Sequence, residues 1–135
     1  MQYTIENEFL VLTVDSRGAE AVSLVWKADG SQLLWQADPA VWGRHAPQLF
    51  PYTGRIKGGA FTAKGREYKA GAHGFARDLE HTLADKKADC LTLELRSSEE
   101  TLARWPYEFV LRTTYRLEGA SLVHHTEVQN PGSET

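Results

Sequence analysis

The sequence predicts an all-β protein built as an antiparallel β-sandwich, and three observations carry that prediction. Apolar side chains recur at every second position through Leu91, Leu93, Leu95 and again through Phe109, Leu111, Tyr115, Leu117, the spacing that turns one face of a strand to a core and the other to water. Turn signals separate such runs: Lys27-Ala28-Asp29-Gly30, Lys64-Gly65 and Glu118-Gly119. Only Ser97-Ser98-Glu99-Glu100-Thr101-Leu102 reads as helix, with Ser97 and Glu100 at capping-box spacing and Pro106 closing the segment, so it is a connector.

Taken in order, residues 9–14 form a short apolar strand, and Val22, Leu24 and Trp26 alternate before the turn that folds residues 31–35 back as a hairpin. Trp26 and Trp35 occupy alternating positions of that hairpin and are expected in the core. Residues 61–63 and 66–68 flank a two-residue turn, with Lys64 and Arg66 as solvated hairpin side chains. Cys90, at the start of the Leu91 run, reads as a buried strand-end thiol rather than a nucleophile. After Glu118-Gly119 comes a last strand, residues 122–128, in which His124 and His125 must face opposite sides; the inward one is expected to be a hydrogen-bonded core histidine.

With 135 residues, the chain is read as one domain over residues 1–135, and its 41% hydrophobic and 24% charged composition is that of a soluble globular protein. The N-terminus lacks the basic and apolar regions of a signal peptide, and no stretch approaches the ~20 apolar residues of a membrane span. A single cysteine excludes an intrachain disulfide, and a cytoplasmic location is expected. A net charge of −3 argues against nucleic acid as a partner. No His/Cys cluster has zinc-ligand spacing and no glycine run precedes a helix, so neither a metal nor a nucleotide cofactor is expected.

Residues 42–78 stand apart. They hold seven Lys or Arg against Glu67 and Asp78, net +5, which leaves −8 for the remainder of the chain. They also carry Trp42, Phe50, Phe61 and Phe75 among glycines, a composition suited to a concave polar site with aromatic walls. In Phe50-Pro51-Tyr52-Thr53-Gly54-Arg55 the proline and glycine make a bent, stiff frame that aims the guanidinium of Arg55. In Gly71-Ala72-His73-Gly74-Phe75-Ala76-Arg77-Asp78 an imidazole sits between glycines. A planar fork of donors plus a group that both donates and accepts suits a ligand rich in hydroxyls. The positive segment also fits an anionic small ligand, with solvated surface side chains an equal reading for Lys57 and Lys69. Asp78 is expected to partner Arg77, and His45 either rims the pocket or lies on a surface loop.

These motifs carry a resemblance. The stretch from Trp42 through Pro47, then LFPYTGR and HGFARD, and later WPYEFVLRTTYRLEGASLVHHTEVQN, resemble the aldose 1-epimerase (galactose mutarotase-like) family, in particular its LacX-like branch. The likeness covers nearly the whole chain, in the order and spacing of that family. It implies the N-terminal half of a larger β-supersandwich, truncated after Asn130-Pro131-Gly132-Ser133-Glu134-Thr135, whose open strand edges invite self-association.

The resemblance implies an isomerase interconverting the α and β anomers of a hexose, or of a hexose phosphate. Such a reaction takes a proton from the anomeric hydroxyl and gives one to the ring oxygen, so it needs a base and an acid. In the family both lie beyond the position of Thr135, which leaves the catalytic residues of this chain unknown. By resemblance Arg55 and His73 hold the sugar oxygens. Phe75, and less strongly Trp42, are candidates to stack on the sugar's C–H face, and Arg77 to meet a phosphate. The alternatives are a sugar-binding or sensor module without turnover, or a structural half that needs a further portion. Asp78 and Glu80 are weak substitutes for the missing base, because general-base work demands geometry first.

Overall fold

The computed structural model describes residues 1–133, so Glu134 and Thr135 of the predicted tail lie outside the described residues. Among those, nine strands make three antiparallel sheets. The first is the meander β1 (Gln2–Glu6), β2 (Leu10–Asp15), β3 (Glu20–Trp26). The hairpin β4 (Ala60–Ala63) and β5 (Arg66–Lys69) stands alone, and β6 (Thr82–Lys86), β7 (Cys90–Arg96), β8 (Val110–Glu118), β9 (Ser121–Gln129) form a four-stranded meander.

The predicted sandwich is present because the two meanders bury their alternating rows against each other. Ile5, Leu10, Leu12, Val14, Ala21 and Leu24 from one sheet meet Leu91, Leu93, Tyr115 and Leu117 from the other in a single cluster. Each such side chain contributes roughly 1.5–3 kcal/mol by leaving water. Tyr115 also ties the sheets through its hydroxyl, which donates to the Ala19 carbonyl at 2.8 Å. Burial pushes that phenol's pKa up and keeps it a neutral donor. A second cluster, Phe75, Ala76, Leu95, Phe109 and Leu111, lies beside the first.

Several expectations needed correcting. Residues 31–35 form no strand, only the isolated bridge Val25↔Gln32. The side chain of Gln32 takes the place of a ladder, accepting from Leu24 N at 2.8 Å and donating to Ser23 Oγ at 2.8 Å. Trp35 accordingly stays 43% exposed, while Trp26 packs on the core and stacks against Phe9. The connector helix α1 (Glu99–Leu102) is capped by Ser98 rather than Ser97, and its reciprocal partner is Thr101, whose hydroxyl accepts from Ser98 N at 2.8 Å. Cys90 is half-buried.

Two strands, β1 and β6, stood out little in the sequence, because β1 is short and β6 buries no residue. β1 turns Tyr3 and Ile5 to the core, an alternation too short to stand out, and β6 is exposed throughout and has no apolar row. On β9, His124 lies in register with Tyr115 on the core-side row and stacks on it at 4.7 Å, whereas His125 pairs with Thr114 on the opposite face. That core-side row is nonetheless largely uncovered, with Val128 54% exposed. No helix among the described residues is long and apolar enough to cross a membrane.

Candidate functional site

Between β3 and β4 the chain runs without a strand, and what positions it is a small set of polar ties. The two motifs singled out in the sequence are joined by four of these. The Phe50 carbonyl accepts from Phe75 N at 2.9 Å and Ala76 N at 3.2 Å, around a parallel bridge Phe50↔Gly74. One step along, His73 N donates to the Gly54 carbonyl at 2.8 Å, and Gly54 N donates to His73 Nδ1 at 3.0 Å. This geometry needs left-handed backbone at Gly54, Gly74 and His73, with φ of 81°, 69° and 64°; glycine takes it freely and histidine tolerates it better than most residues.

The reciprocal Gly54–His73 contact has a chemical consequence. Because Nδ1 accepts, the neutral imidazole carries its proton on Nε2, which is left as a donor. Arg55 follows Gly54 directly. Its guanidinium is exposed, makes no hydrogen bond or ion pair among the described residues, and lines a shallow hollow of about 390 Å³ with Ile56, Gly59, Ala70, Gly71 and Ala72. His73 does not line that hollow itself, but its chain neighbour Ala72 does.

Arg77 belongs to an adjacent cleft of about 370 Å³ with Arg17, Glu20, Arg44, His45 and Asp78. Its Nη2 donates to the Ala72 carbonyl at 3.2 Å, so one residue borders the Arg55 hollow and holds Arg77. Its Nε is buried and makes no hydrogen bond among the described residues. Asp78, expected on Arg77, does form an ion pair with its Nε at 3.8 Å, and its closer partner is Arg44 at 2.6 Å. Glu20 accepts from His45 N and Ala46 N at 2.7 and 2.9 Å.

Phe75 is corrected outright. It is 2% exposed, set edge-on to Phe50 and packed against Phe109, with the Arg104 guanidinium over the ring, so no face is open to a ligand. Trp42 is 49% exposed and lines neither hollow; its carbonyl accepts from Trp35 Nε1 at 2.8 Å. Glu80 is engaged by the Ser16 hydroxyl. No group of three or more metal-ligating side chains occurs among the described residues. Sequence reasoning passed over Glu20 at the start of β3 and Arg44 and Gln48 in the loop, since a lone polar residue gives no local signal.

It also passed over His81, which is 2% exposed beneath the Ala76–Asp78 turn that carries Arg77. Its Nε2 lies 3.1 Å from the Ala76 carbonyl, while Nδ1 has no hydrogen-bond partner among the described residues. Burial holds this imidazole below its ordinary 6.5. The unfolded chain therefore takes up a proton near pH 6.5 that the folded chain refuses, so His81's contribution is complete above that pH and declines as pH falls beneath it. For one refused proton the slope reaches at most about 1.4 kcal/mol per pH unit. Urea titrations at pH 7.5 and 5.5 are expected to show the wild type losing more stability than His81→Gln; equal losses would assign the pH dependence to other groups.

Two meandering sheets packed face to face, with a bent arginine loop laced to a His-Gly turn at one end, define an antiparallel β-sandwich of the galactose mutarotase-like kind. The family model for aldose 1-epimerase matches residues 1–135, and the chain belongs to that family. It is 34% identical over 140 residues to the chromosomal protein LacX of Lactococcus lactis subsp. lactis, covering 100% of this chain and 46% of that protein. A galactose mutarotase-like protein from Lactobacillus casei superimposes with a TM-score of 0.95 at 36% identity, over 99% of this chain and 46% of the other. A galactose mutarotase related enzyme from Lactobacillus acidophilus gives 0.94 at 38%, over 96% and 43%. The chain thus spans about half the length of these relatives.

Proposed function

We propose that this chain supplies the sugar-holding part of an aldose 1-epimerase-like isomerase, gripping a hexose through Arg55 and His73. The observation that carries the reading is the reciprocal Gly54–His73 contact, which ties a donor-ready imidazole to the residue just before Arg55, whose guanidinium is unengaged among the described residues. Together they offer fixed donors to ring and hydroxyl oxygens, while Gly59 and Gly71 keep the hollow open to a ligand. The role here is binding and orientation. The nearby carboxylates Glu20, Asp78 and Glu80 are each engaged by main-chain N–H groups, by Arg44 or by Ser16, which leaves none poised as a base for the anomeric hydroxyl.

A hexose phosphate is the finer form of the same reading, supported by Arg17, Arg44 and Arg77 on one cleft that adjoins the Arg55 hollow through Ala72. A sugar-binding module without turnover is the alternative. Association through β9 fits either, since its core-side row is largely uncovered.

Calorimetric titration with galactose, glucose and glucose 6-phosphate tests these readings together. Arg55→Ala is expected to weaken binding of all three about 10- to 100-fold, the worth of one or two charge-assisted hydrogen bonds. Arg77→Ala should weaken glucose 6-phosphate alone. Unchanged affinity in Arg55→Ala would end the sugar-holding assignment, and equal wild-type affinity for glucose and its phosphate would remove the phosphate. With no base poised in this chain, a mutarotation assay on the chain extended to its relatives' length separates the isomerase from the binding module.

A further inference from the structure

We propose that Gln48 is a positioning residue for the Arg55–His73 pair, acting through Thr126 on β9; the functional part of this inference rests on the sugar-holding reading above. The loop from Lys27 to Gly59 holds only two isolated bridge residues, Gln32 and Phe50, and a short 3-10 turn, so a handful of ties decides where its motifs sit. Residues 45–48 cross between the two sheets as a strap. Its first end is fixed to the three-stranded sheet, where Glu20 of β3 accepts from the main-chain N–H groups of His45 and Ala46. Its far end is fixed to the four-stranded sheet, where Gln48 Nε2 donates to Thr126 Oγ1 at 3.1 Å.

Gln48 is 9% exposed. An amide carried that far from water, in a segment otherwise free of regular structure, is there for its contact. It lies two residues before Phe50, whose carbonyl anchors Phe75 N and Ala76 N, and six before Gly54, which is laced to His73. Releasing Gln48 therefore frees the approach to the PYTGR bend while leaving the apolar clusters, to which neither Gln48 nor Thr126 belongs, in place.

The test uses the 135-residue chain with Gln48→Met, which keeps the side chain's length and loses its amide, Thr126→Val, and the pair combined. Hydrogen exchange reads the geometry without any ligand: the Gly54 amide, which donates to His73 Nδ1, is expected to exchange at least about fivefold faster relative to the Leu91 and Leu93 amides in each single variant. The double variant should be no faster than either single one, because both break the same link. Thr126→Ser, which keeps the hydroxyl, should behave as wild type. Galactose affinity is expected to fall about tenfold in the two single variants. Unaltered Gly54 exchange in both, or effects that add in the double variant, would overturn the proposal. If exchange responds as expected but neither these variants nor Arg55→Ala alters galactose binding, the strap stands and the sugar-holding reading fails instead.

Discussion

Replacing Gly74 with alanine is expected to destabilise the chain by about 4 kcal/mol and to dismantle the candidate site. The backbone here has φ 69°, and a Cβ would stand 2.2 Å from the Phe50 carbonyl oxygen, 2.5 Å from its carbon and 2.6 Å from Pro51 Cδ. Left-handed backbone costs a non-glycine residue about 1 kcal/mol. The larger part comes from the contact, because a main-chain carbonyl and a proline ring cannot swing aside as a flexible side chain can. Separating the two segments enough to admit the methyl group breaks the hydrogen bonds from Phe75 N and Ala76 N to Phe50, worth about 1 kcal/mol each, and strains the surrounding packing by a further 1–3 kcal/mol or so. Gly54→Ala is the matched comparison: φ is 81°, but nothing lies within 4 Å of the added methyl, so only the conformational cost of about 1 kcal/mol applies. Denaturant midpoints for the two variants decide it; similar losses would mean that the Phe50–Gly74 approach contributes little.

Phe75→Ala should cost about 3–5 kcal/mol, the range for emptying a buried aromatic site. The ring is 2% exposed and packs with Phe50, Leu95, Phe109 and Leu111, and the Arg104 guanidinium sits 5.1 Å from its centroid. Phe75→Leu keeps most of the volume and is expected to cost less than about 1.5 kcal/mol, with sugar affinity unchanged. The pair of variants separates two roles for one aromatic residue. A leucine variant as stable as expected that nevertheless lost galactose binding would restore the ring as a wall of the site.

Phe75 also shows how far a sequence reaches. An aromatic residue beside a histidine-glycine pair has the same local pattern whether it stacks on a sugar or fills a core. The outcome was settled by Phe109 and Leu111, more than thirty residues away along the chain. Arg55 and His73 were legible because glycine and proline announce sharp backbone bends through their own geometry. Gln32 and Gln48 were not, since a glutamine in a loop is silent until its partner, Ser23 or Thr126, is brought within reach. The strands β1 and β6 went unseen for a different reason: Tyr3 and Ile5 make an alternation too short to stand out, and β6, exposed throughout, has no apolar row.

By itself, then, the sequence determined the β-sandwich class, the central strands with their inward rows, and the two glycine-bent motifs, because strand periodicity and backbone freedom are written in near neighbours. Only the tertiary structure decided that Phe75 belongs to the core, that Asp78 binds Arg44, and that Gln48 ties the loop to β9. Those outcomes depend on contacts between residues far apart in the chain, and burial and hydrogen bonding act on distance in space rather than on distance along the sequence.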